Sequence, residues 1–193
     1  MCVDTNGTEV LGPLEITTGL SNLDYLFIWR DAAGTVVETA SSYVPTEAGV
    51  YTLEVFDAIL TSQCAAPIEV FTVIESAPPT VTAVVSTEAF ASTHIIQATA
   101  TGLGHYEYNI DQGPWQDTGL FVGVNPGERV VNVRDLNGCG VAQVTVYVID
   151  FPKYFTPNGD GYHDSWNIVG VSDQFNAKIQ IFDRYGKLLK KIR

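Results

Sequence analysis

Apolar and polar residues alternate with a period of two along most of the chain, and turn-forming residues break the alternation about every ten positions. Successive strand side chains point to opposite faces, so this pattern predicts short, half-buried antiparallel strands packed as β-sandwiches. In the first stretch Leu14 and Ile16 share one strand, and Tyr25, Phe27 and Trp29 alternate along the next. A turn over Asp31–Gly34 leads into Val36-Val37-Glu38, and Tyr51-Thr52-Leu53-Glu54-Val55 forms another alternating run. Pro78-Pro79 then marks a linker, because two prolines remove ladder donors and stiffen the chain. Six further strands follow, over Val81–Val85, His94–Ala100, Tyr106–Ile110, Phe121–Val124, Val130–Arg134 and Gln143–Ile149. Asp111-Gln112-Gly113 and Asp135-Leu136-Asn137-Gly138 are strong turn signals between them. From residue 150 the character changes. Phe155-Thr156-Pro157-Asn158-Gly159-Asp160-Gly161 reads as a tight loop in which Pro157 sets one φ while Gly159 and Gly161 permit positive values. Lys178–Asp183 alternates as a strand, Arg184-Tyr185-Gly186 is a turn, and Lys187–Ile192 is the return strand of a hairpin. The reading is all-β in three parts: residues 1–77, 78–149 and 150–193.

Particular residues within these parts carry resemblances to known families. In Glu47-Ala48-Gly49-Val50-Tyr51 an acid and a glycine precede a tyrosine that opens a strand, the pattern of a tyrosine corner whose hydroxyl returns to the upstream backbone. With Trp29 as a core tryptophan between sheets, residues 1–77 resemble an immunoglobulin or PKD-type sandwich. Tyr106-Glu107-Tyr108-Asn109-Ile110-Asp111-Gln112-Gly113-Pro114-Trp115, with Val133-Arg134-Asp135-Leu136-Asn137-Gly138-Cys139, resembles the repeat of giant gliding-motility adhesins. The cysteine of that repeat has an earlier partner, and residues 78–138 contain none. The loop Phe155–Gly161, then Asp164 and Trp166, then Ile181-Phe182-Asp183-Arg184-Tyr185-Gly186, resembles the type B C-terminal sorting domain of type IX secretion substrates. That resemblance implies periplasmic transit and export through the type IX translocon, with surface attachment or release. It assigns the sorting motif to Phe155, Thr156, Pro157, Asn158, Gly159, Asp160, Gly161, Asp164, Trp166, Ile181, Phe182, Asp183, Arg184, Tyr185 and Gly186. A full sandwich needs about seven strands and roughly 100 residues. The family's later strands have no counterpart here, so the segment is read as a truncated, partial sandwich.

Composition supports an extracellular β protein. Hydrophobic residues make up 46 % of the 193 residues and charged ones 17 %, enough apolar material for packed cores. Net charge is −12, distributed as −10 over residues 1–77, −4 over 78–149 and +2 over 150–193. An acidic surface repels phosphate backbones, so nucleic acid is not an expected partner. Lys187, Lys190, Lys191 and Arg193 are read as a solvated strand face. No run approaches the ~20 apolar residues of a membrane-spanning helix. Met1 leads directly into Cys2 and Asp4 with no leader pattern, so the chain is read as a fragment of a longer exported protein. Of the three cysteines, Cys2 and Cys64 bracket the first part and are the candidate disulfide of an oxidising compartment. Cys139, between two glycines, is read as a free thiol at a turn.

Candidate chemistry is sparse. Asn158, Asp160 and Asp164 are oxygen donors at close spacing, loosely like a calcium loop, but the bidentate acid that closes an EF-hand is missing. The alternative is an Asx-turn loop in which the carboxylates cap backbone N–H groups, so structural calcium is the only cofactor considered. His94, His105 and His163 share no metal-ligand spacing. Neither a nucleophile elbow nor a phosphate loop is present, so the chain is expected not to be an enzyme. Tyr106, Tyr108 and Trp115 are either an aromatic platform for a sugar or protein ligand or filling for the sandwich core. Three functions follow: a stalk with a secretion and display signal, an adhesin module that binds glycan or protein directly, or the accessory region of a larger secreted enzyme. Exposure of the aromatic residues over 105–125 favours the adhesin; their burial favours the stalk.

Overall fold

The computed structural model describes residues 1–58, 66–171 and 178–192, all of them strands, turns and loops. The strands are β1 (Cys2–Val3), β2 (Val10–Gly12), β3 (Ile16–Thr17), β4 (Tyr25–Arg30), β5 (Val36–Glu38), β6 (Ser42–Tyr43), β7 (Gly49–Asp57) and β8 (Glu69–Val73). They continue as β9 (Thr80–Val85), β10 (Ile95–Thr101), β11 (Tyr106–Ile110), β12 (Leu120–Val122), β13 (Gly127–Asp135), β14 (Val141–Val148), β15 (Ile179–Phe182) and β16 (Leu188–Ile192). They fall into two compact units. One comprises residues 1–81, 100–107 and 133–142, and the other residues 82–99, 108–132 and 143–193.

In the first unit β5-β4-β7-β8 form a four-stranded sheet, and β3-β6 and β1-β2 form two-stranded ones. Period two decides what is inside: on β4, Phe27 and Trp29 are buried, while Leu26, which precedes them on the opposite face, is exposed. The register sets Trp29 opposite Leu53 and Phe27 opposite Val55, so both strands contribute to one core face. Phe27, Trp29 and Leu53 are its centre, with Ile16 and Tyr43 from the β3-β6 sheet packed against it. The Trp29 ring lies 5.7 Å from that of Tyr43 and 5.5 Å from that of Phe71, and its Nε1 donates to the Ala40 carbonyl at 2.9 Å. A buried indole N–H needs such an acceptor, because leaving it unpaired costs about 1–3 kcal/mol. The tyrosine corner forms as read from the sequence: the Tyr51 hydroxyl donates to the Glu47 carbonyl at 2.9 Å.

In the second unit two three-stranded sheets, β12-β10-β9 and β11-β13-β14, enclose a core of Ile96, Ala98, Phe121, Val131, Val146 and Val148. All six strands read from the sequence between residues 78 and 149 are present, with ends moved by at most three residues. The all-β, immunoglobulin-like sandwich class is therefore what these sheets build.

The cysteine pairing requires a correction. Cys2 is bonded to Cys139, with Cα atoms 5.2 Å apart across a separation of 137 residues. The expected Cys2–Cys64 bridge and the expected free Cys139 are both replaced by this bond; Cys64 itself lies outside the described residues. The reason is tertiary. Residues 133–142 pack in the first unit, so Cys139 meets a strand far away in sequence. Buried Asp135 fixes the turn that carries Cys139: its Oδ1 accepts from the Ser76 hydroxyl at 2.8 Å and its Oδ2 from the Cys139 amide at 3.0 Å. Ser76 in turn bridges the backbone of Cys2. The Pro78-Pro79 joint is packed rather than solvated, since Ala77 and Pro79 are buried and the Tyr106 hydroxyl donates to the Ala77 carbonyl at 3.1 Å.

Candidate functional site

The residues carrying the sorting resemblance lie in the second unit. Their segment begins at Asp150, which forms an antiparallel bridge with Val169. Its Oδ2 lies 3.1 Å from Nε2 of His94, a side chain only 3 % exposed, whose other ring nitrogen sits 3.4 Å from the Thr87 hydroxyl. Burial works against the Asp150 charge, but the Phe151 amide, the His94 hydrogen bond and the His94 and Lys153 charges together hold its carboxyl below the ordinary range. Hydroxyl, imidazole and carboxylate in line resemble a hydrolytic relay. Thr87 Oγ1 also accepts the Ile95 amide at 3.3 Å, so the same line ties the start of the segment at Asp150 to the strand that begins at Ile95. Beside it the rings of Phe90, Phe151 and Trp166 meet in series at tilted angles, with centroids 5.3 and 5.7 Å apart. At Gly170 the chain takes a φ of +78°, and an added Cβ would lie 2.5 Å from the Val148 carbonyl, so only glycine fits that return.

The loop that follows Phe155 is held by its own carboxylates. Asp164 accepts the amides of Gly159 through Oδ1 and Gly161 through Oδ2, both at 2.7 Å. Asp160 Oδ1 accepts the Tyr162 amide at 2.7 Å, and its Oδ2 takes a hydrogen bond from Asn158 Nδ2 at 2.8 Å. Gly159 and Gly161 have φ of +79° and +86°, the positive values their positions in the motif suggested. These are the Asx-turn bonds of the second reading of this loop. Asn158, Asp160 and Asp164 use their oxygens on backbone and side-chain N–H groups, and among the described residues no cluster of three or more His, Cys, Asp or Glu is arranged to hold a metal ion.

Those bonds shift the acids. The Gly159 and Gly161 amides lower the Asp164 pKa, and the Tyr162 amide lowers that of Asp160. A carboxylate with a lowered folded-state pKa contributes order that is complete above its ordinary pKa and is lost as pH falls through the lowered value. The Gly159 and Gly161 amide resonances are therefore expected to hold their positions from neutral pH down past 4 and to move together only below it. A transition centred at or above the ordinary aspartate value would contradict the bonds just described.

With the loop held by these bonds, Phe155 and Tyr185 of the motif, and Tyr162 between its parts, face solvent, whereas Trp166 packs on Phe151. Phe155 is 51 % exposed, Tyr162 76 % and Tyr185 86 %. Thr156 and Pro157 span the loop between the exposed Phe155 and Asn158. The hairpin β15–β16 pairs Ile181 with Lys190 and Phe182 with Leu188. Asp183 organises its turn, accepting the Tyr185 and Lys187 amides at 2.8 and 2.9 Å, with the Arg184 guanidinium 5.9 Å from the Tyr185 ring centre. Ile179 and Ile181 face an open apolar groove of about 580 Å³, whose other walls include Phe90, Phe151, Trp166 and Ile168.

The aromatic residues of the adhesin reading are placed differently. Tyr106 is half-buried, with its hydroxyl accepting the Gly104 amide at 2.9 Å as well as donating to Ala77. Tyr108 packs against the core around Ile96, Trp115 is half-buried, and Phe121 is buried. The disulfide partner of Cys139 and the His94–Asp150 contact are features the sequence reading did not find. Both join residues remote in sequence, and no local pattern marks either.

Comparison with known proteins bears on the C-terminal segment directly. Residues 149–191 match the CHU_C type IX secretion signal domain. No curated protein matches the chain. Among solved structures, the chain is similar to an amphioxus IgVJ-C2 molecule at 13 % identity, covering 71 % of this chain and 94 % of that one with a TM-score of 0.37. It is also similar to three N-terminal domains of the highly immunogenic outer capsid protein of bacteriophage RB49, at 12 % identity, 94 % and 75 % coverage and a TM-score of 0.36. Among the described residues no helix is long and apolar enough to cross a membrane. A type IX signal implies export, to the cell surface or into the medium, and contact with the type IX machinery. The chain thus carries β-sandwiches followed, over residues 149–191, by a segment that matches the CHU_C type IX secretion signal domain, a signal that implies a secreted or surface protein.

Proposed function

We propose that the chain is a non-catalytic stalk and address. The sandwiches of residues 1–149 space and support a more N-terminal part, and residues 150–193 are read by the translocon and the surface attachment machinery. The observation that carries this reading is the signal-domain match falling on a segment whose backbone is locked by Asp160 and Asp164 while Phe155, Tyr162 and Tyr185 face solvent. A rigid loop with exposed rings loses little conformational entropy on recognition, which suits a signal read by shape rather than by chemistry. The half-buried placement of Tyr106, Tyr108 and Trp115, with the Tyr106 hydroxyl engaged by backbone, supports a supporting role for the sandwich over one in which those rings bind a glycan.

A reporter carrying a general export leader and fused ahead of the full chain tests the proposal. It is expected at the surface or in the medium of a host with an intact type IX system. It should remain in the periplasm of a translocon-deficient strain, and likewise when residues 150–193 are deleted. Export that does not depend on those residues would refute the address.

A further inference from the structure

We propose that the Cys2–Cys139 disulfide makes this chain a tether whose load bypasses the first sandwich and all of the second but its last strand. In sandwiches strung end to end, tension between the termini passes through every domain and unfolds the weakest first. Here the covalent path from Met1 goes through Cys2, across the sulfur bridge to Cys139, and on along β14 into residues 149–193. Residues 3–138 branch off that path. They include the whole first core, Phe27, Trp29 and Leu53, and also Ile96, Ala98, Phe121 and Val131 of the second. No force applied at the two ends can stretch them while the bond is intact.

The surroundings of the bridge suit this task. Both cysteines are seated on one buried polar node. Ser76, 1 % exposed, pairs its backbone with the Cys2 region, accepting the Val3 amide at 2.8 Å and donating to the Met1 carbonyl at 3.0 Å. Its hydroxyl holds Asp135, 4 % exposed, which holds the Cys139 amide. Beyond Cys139 the load runs along β14, a strand already extended, while β13 lies off the path and bears none of it. What tension can lengthen is therefore the segment after β14. The source of the load rests on the surface display proposed above; the load path does not.

Single-molecule extension of the full purified chain, held at both termini, reads the path directly. Full extension of the oxidised chain is expected to fall short of that of the reduced chain by the locked 137 residues, roughly 450–490 Å at 3.3–3.6 Å per residue. Cys139→Ser, without reductant, should give the reduced length; because the reading is made on unfolded chain, it does not depend on that variant folding. A shortfall of roughly 200–220 Å would show a Cys2–Cys64 bridge, and one of roughly 250–270 Å a Cys64–Cys139 bridge. Either of these, or equal lengths with and without reductant, overturns the proposal. Loss of type IX-dependent export with the 137-residue lock intact would remove the display reading and leave the load path standing.

Discussion

Replacing Cys139 by serine is expected to lower the unfolding free energy by about 3–5 kcal/mol relative to the oxidised protein. The bridge closes a loop across 137 residues, and the chain-entropy relation assigns a closure of that length about 5 kcal/mol, most of it through the unfolded state. The folded state loses less, because Asp135 still holds the turn through Ser76 and the Cys139 amide. Denaturant unfolding followed by tryptophan fluorescence checks this. The oxidised parent should have the highest midpoint, and the reduced parent and Cys139→Ser should coincide below it. Cys64→Ser should keep the difference between oxidised and reduced midpoints, which separates this pairing from the one that neighbouring positions in sequence suggest. Coincident midpoints for parent and Cys139→Ser would contradict the bond.

Trp29→Ala is expected to cost about 3–5 kcal/mol, the range for deleting a large aromatic side chain from a packed core. The side chain is fully buried, lies between Tyr43 and Phe71, and fills the space between the β5-β4-β7-β8 sheet and the β3-β6 pair. Its removal opens a cavity and also takes the indole N–H from the Ala40 carbonyl. Leu26→Ala on the same strand is the contrast: at 58 % exposure its loss should stay within about 0.5 kcal/mol. The pair tests strand parity directly in thermal or denaturant unfolding. Similar losses at the two positions would mean that the faces of β4 are not assigned as described.

Those two expectations differ in how visible their basis was beforehand. Pleating puts Tyr25, Phe27 and Trp29 on one face and Leu26 and Ile28 on the other; since both sets are apolar, it is the core-tryptophan pattern at Trp29 that marks the first face as the inward one. The tyrosine corner at Tyr51 and the Asp183–Lys187 turn were legible for the same reason: each is completed within about five residues, so residue type and spacing contain all the partners. The secretion signal belongs with them, since its loop is closed by Asp164 only a few residues after Gly159 and Gly161.

The Cys2–Cys139 bond, the burial of Ser76 and Asp135 beneath it, and the His94–Asp150 contact have no such local closure. Spacing suggested Cys64 for Cys2, because sequence neighbourhood stands in for spatial neighbourhood only inside one self-contained unit. The pattern likewise leaves open whether Tyr106, Tyr108 and Trp115 form a binding platform or core filling, since period two says that faces differ but not which face another sheet covers. What the sequence determined by itself is the all-β class, the strands and turns, the inward faces of strands with one apolar side, and the C-terminal signal. Which cysteines meet, which polar groups are buried together and which path a pulling force takes were decided only by tertiary packing, which brings residues 133–142 against the first unit and makes neighbours of positions 137 residues apart.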